Sequence, residues 1–256
     1  MKILLRGNSY KIAKLFLTTS FCMFLYGNVQ SPILVTSMPK CGTHLLTRAV
    51  SFLTGKEKVI FDYHEFYKSL TLPVLQKNQY FQHHVYYTDE VAAFLRANHF
   101  KILYIYRDPR DQVVSRAYWV KAMPEAHTQM PKHDKISDII TYLITDINAA
   151  YAPFMRWTQE PNVCSLKFED LIGPKGKGNL KAQVLAFRKI AAYLGVTLTQ
   201  PLLIDCVNKL FGDSATFRKG EIGSWKQHFT PAQKELFKKY GGDLLIELGY
   251  EKNKNW

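Results

Sequence analysis

An α/β fold, with a central, mostly parallel sheet flanked by helices, is predicted by three features of this 256-residue chain. Short apolar runs alternate with stretches whose apolar residues recur at helical spacing, the order in which parallel strands and their crossover helices are laid down. Two of the runs pass through a sharp, cation-bearing loop straight into a helix, over residues 33–46 and 101–119. The composition, 47% hydrophobic and 21% charged, is that of one ordinary globular domain. No internal repeat or second domain is visible in residues 31–256.

Residues 1–30 stand apart from that domain. Lys2, Arg6, Lys11 and Lys14 precede an apolar run over residues 15–26. This is the shape of a signal peptide's charged and apolar regions, yet short for a membrane span. A cleaved signal, a membrane-surface anchor and an N-terminal helix packed on the domain all fit it. Cytoplasmic placement is the first expectation, with secretory-pathway or membrane-anchored placement left open by this segment.

The run Ile33-Leu34-Val35-Thr36-Ser37 reads as a buried strand. It continues through Met38-Pro39-Lys40-Cys41-Gly42-Thr43 into a helix carrying Leu45, Leu46, Ala49, Val50 and Leu53 and stopping near Gly55. Gly42 lets the backbone approach an anion, the helix start offers unpaired N–H groups, Lys40 adds a cation and Thr43 a hydroxyl. The Lys precedes the Gly, so this is not the Walker A order. An aromatic-rich segment follows (Phe61, Tyr63, Phe66, Tyr67, Tyr80, Phe81, Tyr86, Tyr87), mostly core, with some residues expected to line a pocket.

Residues 78–85 read as a second strand ending near His83-His84, and Thr88 or Asp89 caps the next helix. The third strand, Lys101-Ile102-Leu103-Tyr104-Ile105-Tyr106, runs into Arg107-Asp108-Pro109-Arg110-Asp111 and a helix, with Asp111 the expected N-cap and Ser115 one turn in. An Arg at a strand end facing a helix N-terminus can fork onto phosphate oxygens, or else pair with Asp108 or Asp111. Two such corners at the carboxyl edge of neighbouring strands mark where open α/β sheets take ligands. Residues 137–157 are expected to form one long amphipathic helix and residues 163–168 the fourth strand. A solvated Gly/Lys turn at 173–178, a helix ended by Gly195, a weaker one over 202–210, a basic glycine-containing loop at 217–226 and a final helix from Pro231 to about residue 248 complete the chain.

A formal net charge of +13 implies an anionic partner without naming it. The four cysteines (Cys22, Cys41, Cys164, Cys206) form no CxxC pair and the eight histidines no HExxH. Reduced thiols and no metal are expected.

Three separated motifs resemble those of the sulfotransferases that use 3′-phosphoadenosine 5′-phosphosulfate (PAPS), in particular the cytosolic-type branch. Pro39-Lys40-Cys41-Gly42-Thr43 is similar to the family's 5′-phosphosulfate loop. The stretch from Tyr104 to Ser115 resembles its 3′-phosphate strand and helix. Arg218-Lys219-Gly220-Glu221-Ile222-Gly223-Ser224-Trp225-Lys226 resembles its cofactor-covering loop. The resemblance implies a P-loop-like nucleotide-binding fold over residues 31–256.

It also implies roles for individual residues. Lys40, Cys41, Gly42, Thr43 and His44 fall to the 5′-phosphosulfate, and Arg107, Ser115, Arg218, Lys219 and Gly220 to the 3′-phosphate. Phe168 stands where the family often has an adenine-contacting Tyr, and Leu45 where many members place an aromatic ring. The family's catalytic histidine falls on His84 in preference to His83, with Lys40 stabilising the leaving group. Cys41 replaces a Ser, and Gln82 a Lys that helps neutralise the sulfuryl group. The Cys41 change suggests slowed transfer, or oxidation-sensitive activity if the thiolate is populated.

The expected reaction is sulfuryl transfer from PAPS to a hydroxyl or amine of a small acceptor, an apolar alcohol or phenol, with no metal and no nucleic acid. A catalytically weak PAPS-binding protein and a nucleotide-dependent kinase are the alternatives. Lys226, Thr230 and Glu235 resemble part of the family's dimerisation signature, with Pro231 departing from it, so a homodimer is also implied.

Overall fold

A computed structural model describes residues 31–127, 135–212 and 220–256. The strands are β1 (Ile33–Ser37), β2 (Glu57–Val59), β3 (Gln79–His83), β4 (Lys101–Tyr106) and β5 (Val163–Lys167). They form one sheet in the order β2-β3-β1-β4-β5. Every pairing is parallel, for example Val35 with both Gln82 and Leu103.

Parallel neighbours need crossovers, and helices supply them. In chain order these are α1 (Thr43–Thr54), α2 (Tyr63–Ser69), α3 (Asp89–Ala97), α4 (Pro109–Ala122), α5 (Ile136–Thr145), α6 (Ile147–Met155), α7 (Phe168–Leu171), α8 (Leu180–Leu194), α9 (Gln200–Lys209), α10 (Trp225–His228) and α11 (Pro231–Glu247). No described helix is long and apolar enough to cross a membrane. The leader-like segment at 1–30 lies outside the described residues, as do Cys22, Arg218 and Lys219.

The central strands are continuous apolar runs because both faces of the sheet are covered. Leu34, Phe81, Ile102 and Tyr104 face one core, shared with residues of α4, α5, α6 and α11. Val35, Tyr80, Leu103 and Ile105 face the other, shared with α1 and α8. The single-domain α/β fold expected from the alternation of strands and helices is the one observed.

Several local expectations are corrected. The helix over 137–157 is two helices, broken at Asp146, whose φ of −95° and ψ of 1° leave the helical region. The apolar period crosses the break because Ile144 and Ile147 are both buried in the same core. β2 is a short, exposed edge strand with no apolar run to announce it, and α2 forms inside the aromatic segment with Asp62 as its N-cap. Of the two caps expected for α3, Thr88 is the one that forms, accepting from the Val91 N–H. Asp108 rather than Asp111 caps α4, accepting from the Arg110 N–H. Phe168 opens α7 instead of ending β5.

Candidate active site

The carboxyl edge of β1, β3 and β4 opens into a cavity of about 170 Å³. Lys40, Gly42, Thr43, His44, Leu45, His84, Arg107, Ser115, Phe168 and Gly220 all line it. Residues far apart in the chain are thus gathered at one place, as the sequence expected. Of the described site residues only Cys41 does not line it.

The first wall is the β1–α1 corner. Lys40 adopts a left-handed φ of 71°, a strained state for a residue with a Cβ and one that recurs at functional sites. Gly42 has φ 105°, and a Cβ there would lie 2.6 Å from Phe168 Cδ2. Its glycine is therefore demanded by the Phe168 ring as well as by the turn. No side chain caps α1, so its first N–H groups lack a side-chain acceptor and face the cavity from a helix N-terminus. The Thr43 hydroxyl lies 2.5 Å from Ser37 Oγ. The Lys40 ammonium sits 5.4 Å from the Trp119 ring centroid, and burial together with Lys58 and Lys40 lowers the pKa of His44.

Cys41 points the other way. Its thiol is fully buried, 3.8 Å from the Tyr151 hydroxyl, and burial pushes its pKa up to about 12. The thiolate is not populated near neutral pH, which removes the basis for an oxidation-sensitive site. Its side chain belongs to the core.

The second wall is the β4–α4 corner. Arg107 is 7% exposed and lies with its guanidinium carbon 4.3 Å from the Phe168 ring centroid. Its Nη2 donates to the Glu221 carbonyl at 2.8 Å and lies 4.0 Å from Asp111 Oδ2. Its Nε is buried with no hydrogen-bond partner among the described residues. A buried, charged donor left without an acceptor is costly, and an anion in this cavity is the group that would satisfy it.

His84 stands between this cavity and a second one. Its Nδ1 is 2.7 Å from the Ser37 carbonyl; a carbonyl only accepts, so Nδ1 carries the proton and Nε2 keeps its lone pair. Burial is the main cause of its lowered pKa. His83 packs instead against Phe61 and Tyr63, at 5.0 and 5.1 Å between ring centroids. The second cavity is walled by Met38, Pro39, Tyr86, Trp119, Pro153 and Phe154, with Arg116 and Asp146 as its charged groups. Most of the aromatic-rich segment is core, and Tyr86 is the member that lines this space. Gln82 is 7% exposed within β3 and lines neither cavity.

Sequence reasoning missed Arg48, Trp119, Ile172, Leu210 and Gly212 along the first cavity. The helical repeat could have found two of them. Arg48 is four residues after His44, and Trp119 four after Ser115, so each shares a helix face with a chosen residue. Among the described residues no cluster of His, Cys, Asp or Glu could hold a metal ion.

With the geometry in place, comparison with known proteins is decisive at the level of family: residues 30–249 match the sulfotransferase domain. The chain belongs to the sulfotransferase family. A Danio rerio sulfotransferase 6B1 is 28% identical over 174 residues, spanning 59% of this chain and 56% of that protein. A Mus musculus sulfotransferase 6B1 is 26% identical over 254 residues, spanning 86% and 80%. Among solved structures, a mouse sulfotransferase, SULT7A1, complexed with PAP superposes with a TM-score of 0.63 at 20% identity, covering 86% of this chain and 88% of that one. Retinol dehydratase in complex with androsterone and the inactive cofactor PAP gives 0.60 at 15%, covering 91% and 85%. These structural likenesses speak to the fold, which this sulfotransferase shares.

Proposed function

We propose that this sulfotransferase moves the sulfuryl group of PAPS to a hydroxyl or amine of a small acceptor. His84 acts as general base and Lys40 stabilises the phosphate leaving group. The observation that carries the reading is that His84 lies on both cavities at once, with cations and helix N–H groups on one side and an apolar wall on the other.

PAPS supplies the sulfuryl group and a phosphate that leaves. The Nδ1–H bond to Ser37 leaves Nε2 free to take the acceptor's proton while the acceptor oxygen bonds to sulfur and the sulfur–phosphate oxygen bond breaks. Lys40 and the first N–H groups of α1 would offset the charge appearing on the phosphate that leaves. Arg107, with its partnerless Nε, and Ser115 hold the 3′-phosphate; Phe168 and Leu45 border the base. Each residue present fits the group it would hold.

For the acceptor, the apolar wall supports an alcohol or phenol, and Arg116 and Asp146 leave room for a polar group on it. The relatives' names agree in class: the retinol dehydratase structure contains androsterone, and a Cavia porcellus relative 29% identical over 168 residues is a 3-beta-hydroxysteroid sulfotransferase. The test is incubation with ³⁵S-labelled PAPS and a panel of alcohols, phenols and amines. Label is expected on a small acceptor, without nucleic acid or added metal. Tight PAP binding with no transfer to any acceptor would make the protein a binder, and Mg²⁺-dependent phosphate transfer from ATP would make it a kinase.

A further inference from the structure

Asp111 was expected to cap its helix, but Asp108 does that, and the Asp111 carboxylate is left for another task. It is 1% exposed and does not line the cavity. Its Oδ2 accepts the Gly223 N–H at 2.7 Å and its Oδ1 the Trp225 N–H at 2.9 Å. Both oxygens are therefore committed to the segment at 220–225, more than a hundred residues further along the chain.

That segment is held at two other points. Arg107 Nη2 donates to the Glu221 carbonyl at 2.8 Å, and the Gly176 carbonyl accepts the Ile222 N–H at 3.1 Å. Gly220, at its edge, lines the cavity. The same Asp111 carboxylate lies 4.0 Å from Arg107, whose flat face is set by Phe168. One buried anion thus fixes the segment and stands beside the guanidinium that lines the cavity.

We infer that Asp111 is a positioning residue for 3′-phosphate recognition: it holds residues 220–225 and Arg107 in register without touching the nucleotide. The inference rests on the proposed PAPS reading. A carboxylate with only a structural duty would affect all parts of the nucleotide alike, whereas this one acts on the corner that faces the 3′-phosphate.

The experiment titrates the full chain with PAP and, separately, with adenosine 5′-phosphate, which lacks the 3′-phosphate. Wild type is expected to prefer PAP by about 100-fold, as a forked Arg–phosphate contact warrants. Asp111→Asn keeps the shape but presents an NH₂ group to one of the two N–H donors. PAP affinity is expected to fall about tenfold or more while adenosine 5′-phosphate affinity stays within about twofold.

Gly223→Ala gives a second route should Asp111→Asn fail to fold. Its added Cβ meets nothing within 4 Å, so only the φ of 75° is strained, and the same selective loss is expected. An unchanged ratio of the two affinities, or equal loss of both ligands with a lowered Tm, would overturn the inference. Should wild type itself show no preference for PAP, the assignment of the 3′-phosphate to Arg107 would fall first and this inference with it.

Discussion

The β1–α1 corner is made by consecutive residues: the strand end, Lys40 in its left-handed turn, Gly42 and the uncapped start of α1. The Arg107 corner draws on four separate stretches, with Phe168 behind the guanidinium, Asp111 beside it, and Glu221 and Gly176 tying down the segment at 220–225. The first can be written into a dozen residues because a helix N-terminus is an anion site by its own geometry. The second exists only once the sheet has brought those stretches together. Damage to the first should act where the change is made, whereas damage to the second should spread through shared partners.

Four substitutions sharpen that contrast. The largest effect belongs to neither corner: His84→Ala is expected to lower kcat by about 10²–10⁴-fold, the worth of a positioned base, with PAP affinity nearly unchanged by calorimetry. In the proposed mechanism the neutral imidazole is the working form, and burial lowers its pKa from 6.5, so kcat/KM should fall on the acid side with a midpoint below 6.5 and be flat above it. A midpoint above neutrality would remove His84 from the role.

Arg107→Ala comes next. It should weaken PAP by about 10–100-fold and also lower Tm, since it takes the nearest cation from buried Asp111; a loss of affinity with no change in Tm would mean that the corner's parts are independent. Gly42→Ala forces both the left-handed turn and the Phe168 ring, so a loss of roughly 1–3 kcal/mol in denaturant unfolding is expected. A stability equal to wild type would show that the ring moves freely. Cys41→Ser is the mildest, expected within about 1 kcal/mol of wild type, with activity kept. The native thiol should resist alkylation at neutral pH, and rapid loss of activity with iodoacetamide would contradict its burial.

Much of this was legible in the chain. The alternation of apolar runs and helical periods carried the parallel sheet, because strands buried on both faces read as continuous apolar runs while helices repeat every 3.6 residues. The motif residues Lys40, Gly42, Arg107, Ser115 and Phe168 carried the cavity. What failed had a common cause. Asp111 looked like a cap since an acidic residue at a helix start is the ordinary reading, yet Asp108 was better placed and Asp111 had partners 112 and 114 residues away. Cys41 looked like a ligand by its place in the loop, but its side chain packs into the core beside Tyr151.

By itself the sequence determined most of the alternation of strands and helices, though not β2, α2 or the break at Asp146, together with the two cation-bearing corners and the family, since each depends on contacts between near neighbours or on a pattern of residue types. The tertiary structure alone decided which way Cys41 turns, that His84 and not His83 stands between two cavities, and that Asp111 reaches across to residues 223 and 225. Those outcomes depend on which side chains share a buried space, and a chain specifies that space only after its distant parts have packed.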